Sequence, residues 1–180
     1  MKITKEWLQR KNACPSGIDW FCGQRETDAA KLCNLAIDKK DSDLLSWARW
    51  VIIRAMTYKQ LVSYAVFAAE QVIDMYEKKY PADDRPRKAI EAAKKCIEHP
   101  SEENKLASRI AVAYASTYKV AAASAYAAAD TAASNGAYEA EIDAAGAVSF
   151  AIHAAVACSG VEVMRKKILE YGIELIRENT

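Results

Sequence analysis

Alanine dominates the stretch from residue 107 to residue 157, and this constrains the fold more than any other feature of the chain. The stretch holds 22 alanines in 51 residues. Alanine is the strongest helix former, and its small side chain lets two helix axes approach closely. Aromatic residues such as Tyr126 and Phe150 interrupt the run at helical spacing. A single solvent-exposed helix would not need such apolar side chains. The composition therefore predicts a tightly packed antiparallel helix pair, with helices over 102–134 and 137–158.

The rest of the chain also has the pattern of helices. Thr57 is a suitable N-cap for a long helix over 58–80. Most of the six Gly and all four Pro fall where helices are expected to begin or end. No stretch shows the alternation of period two that strands need. We therefore predict an all-α fold, a single-domain bundle of seven to eight helices over 1–180, with short N-terminal helices at 1–56, a helical core at 57–160 and a C-terminal helix at 161–180.

Charge and cysteine content indicate a cytoplasmic protein. The chain has 25 Lys and Arg against 24 Asp and Glu, which gives a net charge of +1. This balance argues against a dedicated nucleic-acid binder, which usually has a basic excess. No segment approaches the roughly 20 apolar residues of a membrane span, so no membrane partner is expected. Five cysteines without a CxxC pair are typical of reduced thiols in a cytoplasm.

The sequence motifs of common enzymes are missing. There is no GxSxG nucleophile elbow, no HExxH or HxxxH metal motif, and neither of the glycine-rich phosphate loops GxGxxG and GxxxxGK[ST]. Cys158 follows His153 by five residues on one predicted helix, which is poor geometry for a nucleophile and its base. We therefore predict that the protein is not an enzyme and has no catalytic residues, no cofactor and no bound metal.

Three polar residues inside the alanine-rich helices form the first candidate site: Asp130, Asp143 and His153. Asp143 precedes His153 by ten residues, close to three helical turns, so the two side chains share a helix face. Carboxylate and imidazole groups are metal ligands, and a cluster of three between two antiparallel helices could hold a metal ion. The alternative, which we favour, is a hydrogen-bonded interior histidine.

The second candidate is the segment DDRPRKAIE, from Asp83 to Glu91. Arg85 and Arg87 flank a proline that suits the first turn of a helix, and a guanidinium binds carboxylate or phosphate through two parallel hydrogen bonds. The adjacent acidic residues favour an internal Asp–Arg lock that fixes the loop, and a partner-facing polar surface is the alternative. Glu70, in the preceding helix, is interpreted as a surface charge or a structural ion pair.

Two segments resemble a known protein family. They are YAVFAAEQVIDMYE, which begins at Tyr64, and YPADDRPRKAIEAA, which begins at Tyr80. Together with the alanine-rich region that follows, they resemble the Imm-5-like family of bacterial polymorphic-toxin immunity proteins, which includes phage-encoded relatives. The resemblance covers roughly residues 60–158, and RPRxAIEAA is its most specific part. The positions that match the family pattern are Glu70, Asp84, Arg85, Pro86, Arg87 and Glu91.

The resemblance implies a small helical protein that binds and neutralises another molecule. We therefore expect a non-enzymatic binding protein that neutralises a toxin or effector through stoichiometric protein–protein interaction. The residues of the family pattern are candidates for the partner-binding surface. A homodimer through the alanine-rich helices is left open, because small residues permit close approach of two helices.

Two other functions remain open from the sequence. A phage-encoded member could counter host defence by inhibiting a defence protein or by sequestering a nucleotide-like signal, which requires a deep pocket with cationic and aromatic side chains. The candidates for such a pocket are Arg49, Arg54, Arg85, Arg87, Arg109, Trp47, Trp50 and Tyr114. The other alternative is a metal-dependent hydrolase that uses Asp130, Asp143 and His153.

Overall fold

The computed structural model describes residues 1–113, 120–156 and 160–178 and shows an all-helical protein. Within these ranges it contains eleven helices and no strand. None of the helices in the described ranges is long and apolar enough to cross a lipid bilayer. The helices are α1 Lys5–Arg10, α2 Pro15–Gly23, α3 Ala29–Asp38, α4 Ser42–Ala55, α5 Tyr58–Glu70, α6 Ile73–Lys79, α7 Arg85–Glu98, α8 Glu102–Ala113, α9 Val120–Ala133, α10 Ala137–Val156 and α11 Val161–Arg177.

The predicted all-α fold class is confirmed, whereas the predicted number of seven to eight helices is wrong. Thr57 caps α5 as predicted, in a capping box with Gln60. The predicted helix over 58–80 is two helices, because the backbone at Val72 has φ −127° and ψ −10° and leaves the helical region. Gln71 ends α5, and its side-chain amide donates to the carbonyl of Phe67 at 3.0 Å. Such local bonds compete with continuation of the helix.

The predicted single helix over 102–134 is also wrong. α8 packs along α9, whereas one straight helix would carry its two halves away from each other. The guanidinium of Arg109 in α8 donates to the backbone carbonyl of Ala133 in α9, at 3.5 Å. Residues 114–119, which join the two helices and include the predicted site residue Tyr114, lie outside the described ranges.

The chain divides into two compact units, and the first contains Met1–Met56 and Leu169–Thr180. In this unit α1 packs on α2 and α3 packs on α4. The buried side chains of α3 and α4 recur about one helical turn apart, as in amphipathic helices that pack on each other. They include Leu32, Cys33 and Ala36 on α3, and Ala48, Val51 and Ile52 on α4. The prediction that residues 1–180 form one domain stays a prediction.

The second unit contains Thr57–Ile168, and α9 is its centre. Helices α5, α6, α7, α8 and α10 all pack on α9. Since an alanine side chain ends at its methyl group, neighbouring helices can approach α9 from several sides at once. The alanines of α9 that are fully buried in this way are Ala122, Ala125, Ala128, Ala129 and Ala132.

The predicted alanine-rich antiparallel pair is present as α9 and α10. Near the start of α9, the hydroxyl of Ser124 donates to the carbonyl of Ala147 at 2.8 Å. Just beyond the end of α9, the hydroxyl of Ser134 donates to the carboxylate of Asp143 at 3.0 Å. The residue numbers on α10 fall as those on α9 rise, so the two helices run in opposite directions.

Candidate functional site

The predicted DDRPR segment lies where α7 begins and takes part in a set of ion pairs. We call this set the α6–α7 cluster; it consists of Asp74, Glu77, Asp83, Arg85 and Arg87. The Nε and Nη2 atoms of Arg85 donate to the two carboxylate oxygens of Asp83, each at 2.7 Å. The hydroxyl of Tyr76 donates to the same carboxylate at 2.6 Å. These hydrogen bonds hold the pKa of Asp83 well below its usual range.

Arg87 forms the other half of the α6–α7 cluster. Its Nε and Nη2 atoms donate to the two carboxylate oxygens of Glu77, each at 2.7 Å, and Nη2 also donates to Asp74 at 3.0 Å. The hydrogen bonds from Arg87 lower the pKa of Glu77. Both arginines are thus occupied by carboxylates of their own unit, which agrees with the predicted internal lock of the loop between α6 and α7.

The three acidic residues of the family pattern also have charged neighbours within the second unit. The ammonium of Lys94 lies 2.8 Å from Glu70 and 3.1 Å from Glu91. Asp84 pairs with Lys88 one turn later, at 2.8 Å. Glu70 is therefore part of a structural ion pair between α5 and α7, while Asp84 and Glu91 are exposed on α7 and its N-terminal end. Nothing in the sequence marked Lys94 as the partner of Glu70.

The prediction that Asp130, Asp143 and His153 form one cluster is wrong for His153, which lies apart from the two aspartates. Ten residues of α-helix span about 15 Å, so His153 lies far along α10 from Asp143. His153 is exposed, and its Nδ1 atom lies 2.8 Å from the carbonyl of Ser149 in the same helix. The expectation of an interior histidine is wrong as well. Within the described residues, no three His, Cys, Asp or Glu side chains are placed to hold a metal.

Asp130 and Asp143 remain as a pair of half-buried carboxyl groups between α9 and α10. Burial and, second, the charge of Asp143 raise the pKa of Asp130 to about 6. Burial and the charge of Glu139 raise the pKa of Asp143, against the opposing effect of the hydrogen bond from Ser134. Among the described residues, neither carboxylate has a cationic partner within ion-pair distance. Because His153 is exposed and ten residues along α10 from Asp143, these three side chains do not form the joint site that the predicted metal-dependent hydrolase requires.

The predicted tryptophans of α4 pack on other tryptophans of the first unit. The rings of Trp50 and Trp7 meet edge to face, with centroids 6.1 Å apart, and those of Trp47 and Trp20 lie 6.5 Å apart. The guanidinium of Arg54 lies over the ring of Trp50, at 5.5 Å from its centroid. These contacts join α1 and α2 to α4, so the rings contribute to packing within the unit.

The members of the predicted nucleotide-binding set that the structure describes are divided between the two units. Its members Arg49, Arg54, Trp47 and Trp50 belong to the first unit, and Arg85, Arg87 and Arg109 belong to the second. A cleft in the first unit is lined by residues such as Ile3, Leu8, Phe21 and Glu26, and none of the predicted arginines or tryptophans lines it. Two of the arginines are occupied by acids, as described above.

Residues 52–178 match the model of a protein family described as Imm-5 like putative immunity protein. The matched range covers well over half of the chain. It contains the α6–α7 cluster and the alanine-rich pair, and it extends into α11, beyond the range of the resemblance seen in the sequence. Neither a curated protein nor a solved structure matches the chain.

Proposed function

The chain belongs to the Imm-5 like putative immunity protein family, and from this premise we propose that it neutralises a toxin or effector by binding it in a one-to-one complex. The family match over residues 52–178 is the observation that carries the proposal. A protein that acts in this way needs a complementary surface and no catalytic group. We infer that it acts in the cytoplasm, where such a toxin would meet its target.

The architecture of the second unit supports this function. A neutraliser binds best when its surface is already formed, because ordering of loops on binding lowers affinity. In this unit five helices pack on α9, and the loop before α7 is held by the contacts of Arg85 and Arg87. Both features favour a preformed surface. The exposed Asp84 and Glu91 are proposed as peripheral partner contacts.

The ion pairs count against the nucleotide-sequestering alternative. A phosphate that bound Arg85 or Arg87 would have to displace a carboxylate that each arginine already holds through two hydrogen bonds of 2.7 Å. Displacement would leave the carboxylate of Asp83 or Glu77 without its paired guanidinium. The contacts of Arg85 and Arg87 thus favour a structural role for both side chains over phosphate binding.

If the chain is an immunity protein, we expect its toxin to be encoded beside its gene, and co-expression with that toxin domain tests the proposal. In a sensitive bacterium, the chain should restore growth against that toxin and leave an unrelated toxin of the same enzymatic class unaffected. Native mass spectrometry of the purified pair should show a complex with one copy of each protein. Unrestored growth together with two separate masses would overturn the proposal.

A further inference from the structure

Helices α10, α5, α7 and α8 surround α9 in that order. α10 packs on α5, α5 packs on α7 and α7 packs on α8, while all four pack on α9. In the part of the chain that the structure describes, no comparable packing joins α8 to α10. The ring of helices around α9 is therefore open between α8 and α10.

A strip of α9 lies at this opening. Ala123, Ala127 and Asp130 are half-exposed, and their spacing of four and three residues puts them on one face of the helix. A Cβ atom added to Gly146 of α10 would lie 3.9 Å from the Cβ of Ala127, so α10 borders the strip. We call these three α9 residues the α9 strip. Its two alanines leave room for another helix axis to approach α9 closely.

The α8 side of the opening carries two exposed apolar side chains. Ser108 is buried, with its hydroxyl 3.6 Å from Cys96 of α7, and marks the face of α8 that packs inward. Leu106 and Ile110 lie two residues before and after Ser108, roughly 200° around the helix, and are 53% and 49% exposed. Arg109, one turn after Leu106, reaches α9. This face of α8 therefore points away from α7.

The α10 side of the opening is apolar around Phe150. This side chain is 41% exposed and follows Gly146 by one helical turn. A Cβ atom on Gly146 would lie 3.9 Å from the Phe150 ring as well as from Ala127, so the ring stands beside the α9 strip. Asp143 lies one turn before Gly146 on the same face. The opening thus combines apolar sides with two carboxyl groups at one end.

Negative charge accumulates around Asp130 and Asp143, and Asp143 itself acts on Asp130. Glu139 adds negative charge near Asp143. Arg109 is directed to the carbonyl of Ala133, at 3.5 Å, and to Glu102, at 3.8 Å. The opening therefore has a negative end, and a cation supplied from outside would complement it.

We propose that the opening between α8 and α10 receives an α-helix of the neutralised protein. The apolar face of that helix lies on the α9 strip, against Phe150 and the α8 side chains, and one Arg or Lys side chain reaches between Asp130 and Asp143. This inference rests on the proposed function. An amphipathic helix in an apolar groove is a recurrent mode of recognition, and here the bound helix completes the ring around α9. A guanidinium suits the site because it can bind two carboxylates at once.

Affinity measurements with matched variants test the proposal. The probe is the purified toxin domain encoded beside the gene, titrated by calorimetry into the full chain. Asp130→Asn removes the negative charge and keeps the size of the side chain, and Phe150→Ser removes the aromatic ring from the α10 side of the opening. Each variant should weaken binding at least tenfold. The controls are Glu98→Gln, an exposed carboxylate on α7, and Val163→Ser, an exposed apolar residue on α11. Both controls should bind within twofold of the wild type.

Each outcome has a defined meaning. Binding of Asp130→Asn and Phe150→Ser within twofold of the wild type would overturn the helix-binding proposal and leave neutralisation intact. Absence of any complex with the wild type would overturn both. If the wild type is instead a dimer that Phe150→Ser dissociates, the occupant is a second copy of this chain, which also contradicts the proposal.

A crosslinking measurement keeps the proposal falsifiable if Phe150→Ser fails to fold. A photo-crosslinking phenylalanine derivative at position 150 retains an aromatic ring at this place. On irradiation of the complex, the crosslink should map to a toxin helix that bears an Arg or Lys within one or two turns of the linked residue. A crosslink to a loop or strand of the toxin would contradict the proposal.

Discussion

Replacement of Asp130 by Asn should make the free protein more stable at neutral pH. Folding raises the pKa of this carboxyl group from 3.8 to about 6, because the group is half-buried and close to Asp143. A difference of about two pKa units corresponds to about 3 kcal/mol. Since the side chain is partly exposed, solvent screening reduces this value, and we expect about half of it, about 1.5 kcal/mol.

The pH dependence determines whether the wild type or Asp130→Asn has the larger free energy of unfolding. Below the unfolded pKa of 3.8, Asp130 is protonated in both states, so the wild type and Asp130→Asn should be equally stable. As the pH rises from about 4 to about 6, the unfolded chain loses its proton more readily than the folded protein, and the wild type loses stability relative to the variant. Above pH 6 the difference should stay constant.

Urea unfolding at pH 4, 5, 6 and 7.5, followed by circular dichroism, measures the difference. Glu98→Gln is the control, and its midpoint should differ from that of the wild type by little at any pH. The reasoning is refuted if Asp130→Asn is less stable than the wild type at pH 7.5, or if the difference between them is independent of pH.

Three further predictions concern side chains outside the α9 strip. Arg87→Ala should lower the free energy of unfolding by about 1 kcal/mol, because it removes the paired hydrogen bonds to Glu77. In the same urea assay Arg87→Lys should recover only part of this loss, since lysine cannot donate two parallel hydrogen bonds to a carboxylate. Tyr76→Phe should cost about 1 kcal/mol through loss of its bond to Asp83, and an unchanged urea midpoint would contradict this. Burial raises the pKa of the Cys33 thiol, so this thiol should react with a disulfide reagent only after unfolding, and rapid reaction of the native protein at Cys33 would be contrary to the structure.

The sequence was most informative where one residue type controls packing. The alanine content predicted the antiparallel contact of α9 and α10, because alanine favours helix formation and its small side chain lets two helix axes approach closely. The sequence did not predict the break at Gln71 and Val72. This break depends on a side-chain bond to Phe67 and on packing in three dimensions, and no Gly or Pro marks it.

In the candidate site, too, contacts between residues close in sequence were predictable and contacts between separate helices were not. The acidic residues next to Arg85 correctly indicated an internal lock, since the partners are only two residues apart. The partner of Glu70 lies on another helix, and no spacing rule points to Lys94. The interpretation of His153 was wrong because helical periodicity specifies a face of the helix and does not by itself bring side chains close together. Ten residues on one face are still about 15 Å apart.

The stoichiometry of inhibition tests the central claim most directly. Increasing amounts of the chain are added to a fixed concentration of the purified toxin domain, well above the dissociation constant, and the remaining toxin activity is measured. Neutralisation by binding predicts a linear fall that ends at a molar ratio of about one. Complete loss of activity far below one equivalent would reveal a catalytic mode of action, and unchanged activity at excess chain would show that this toxin is not the target; either result would contradict the account.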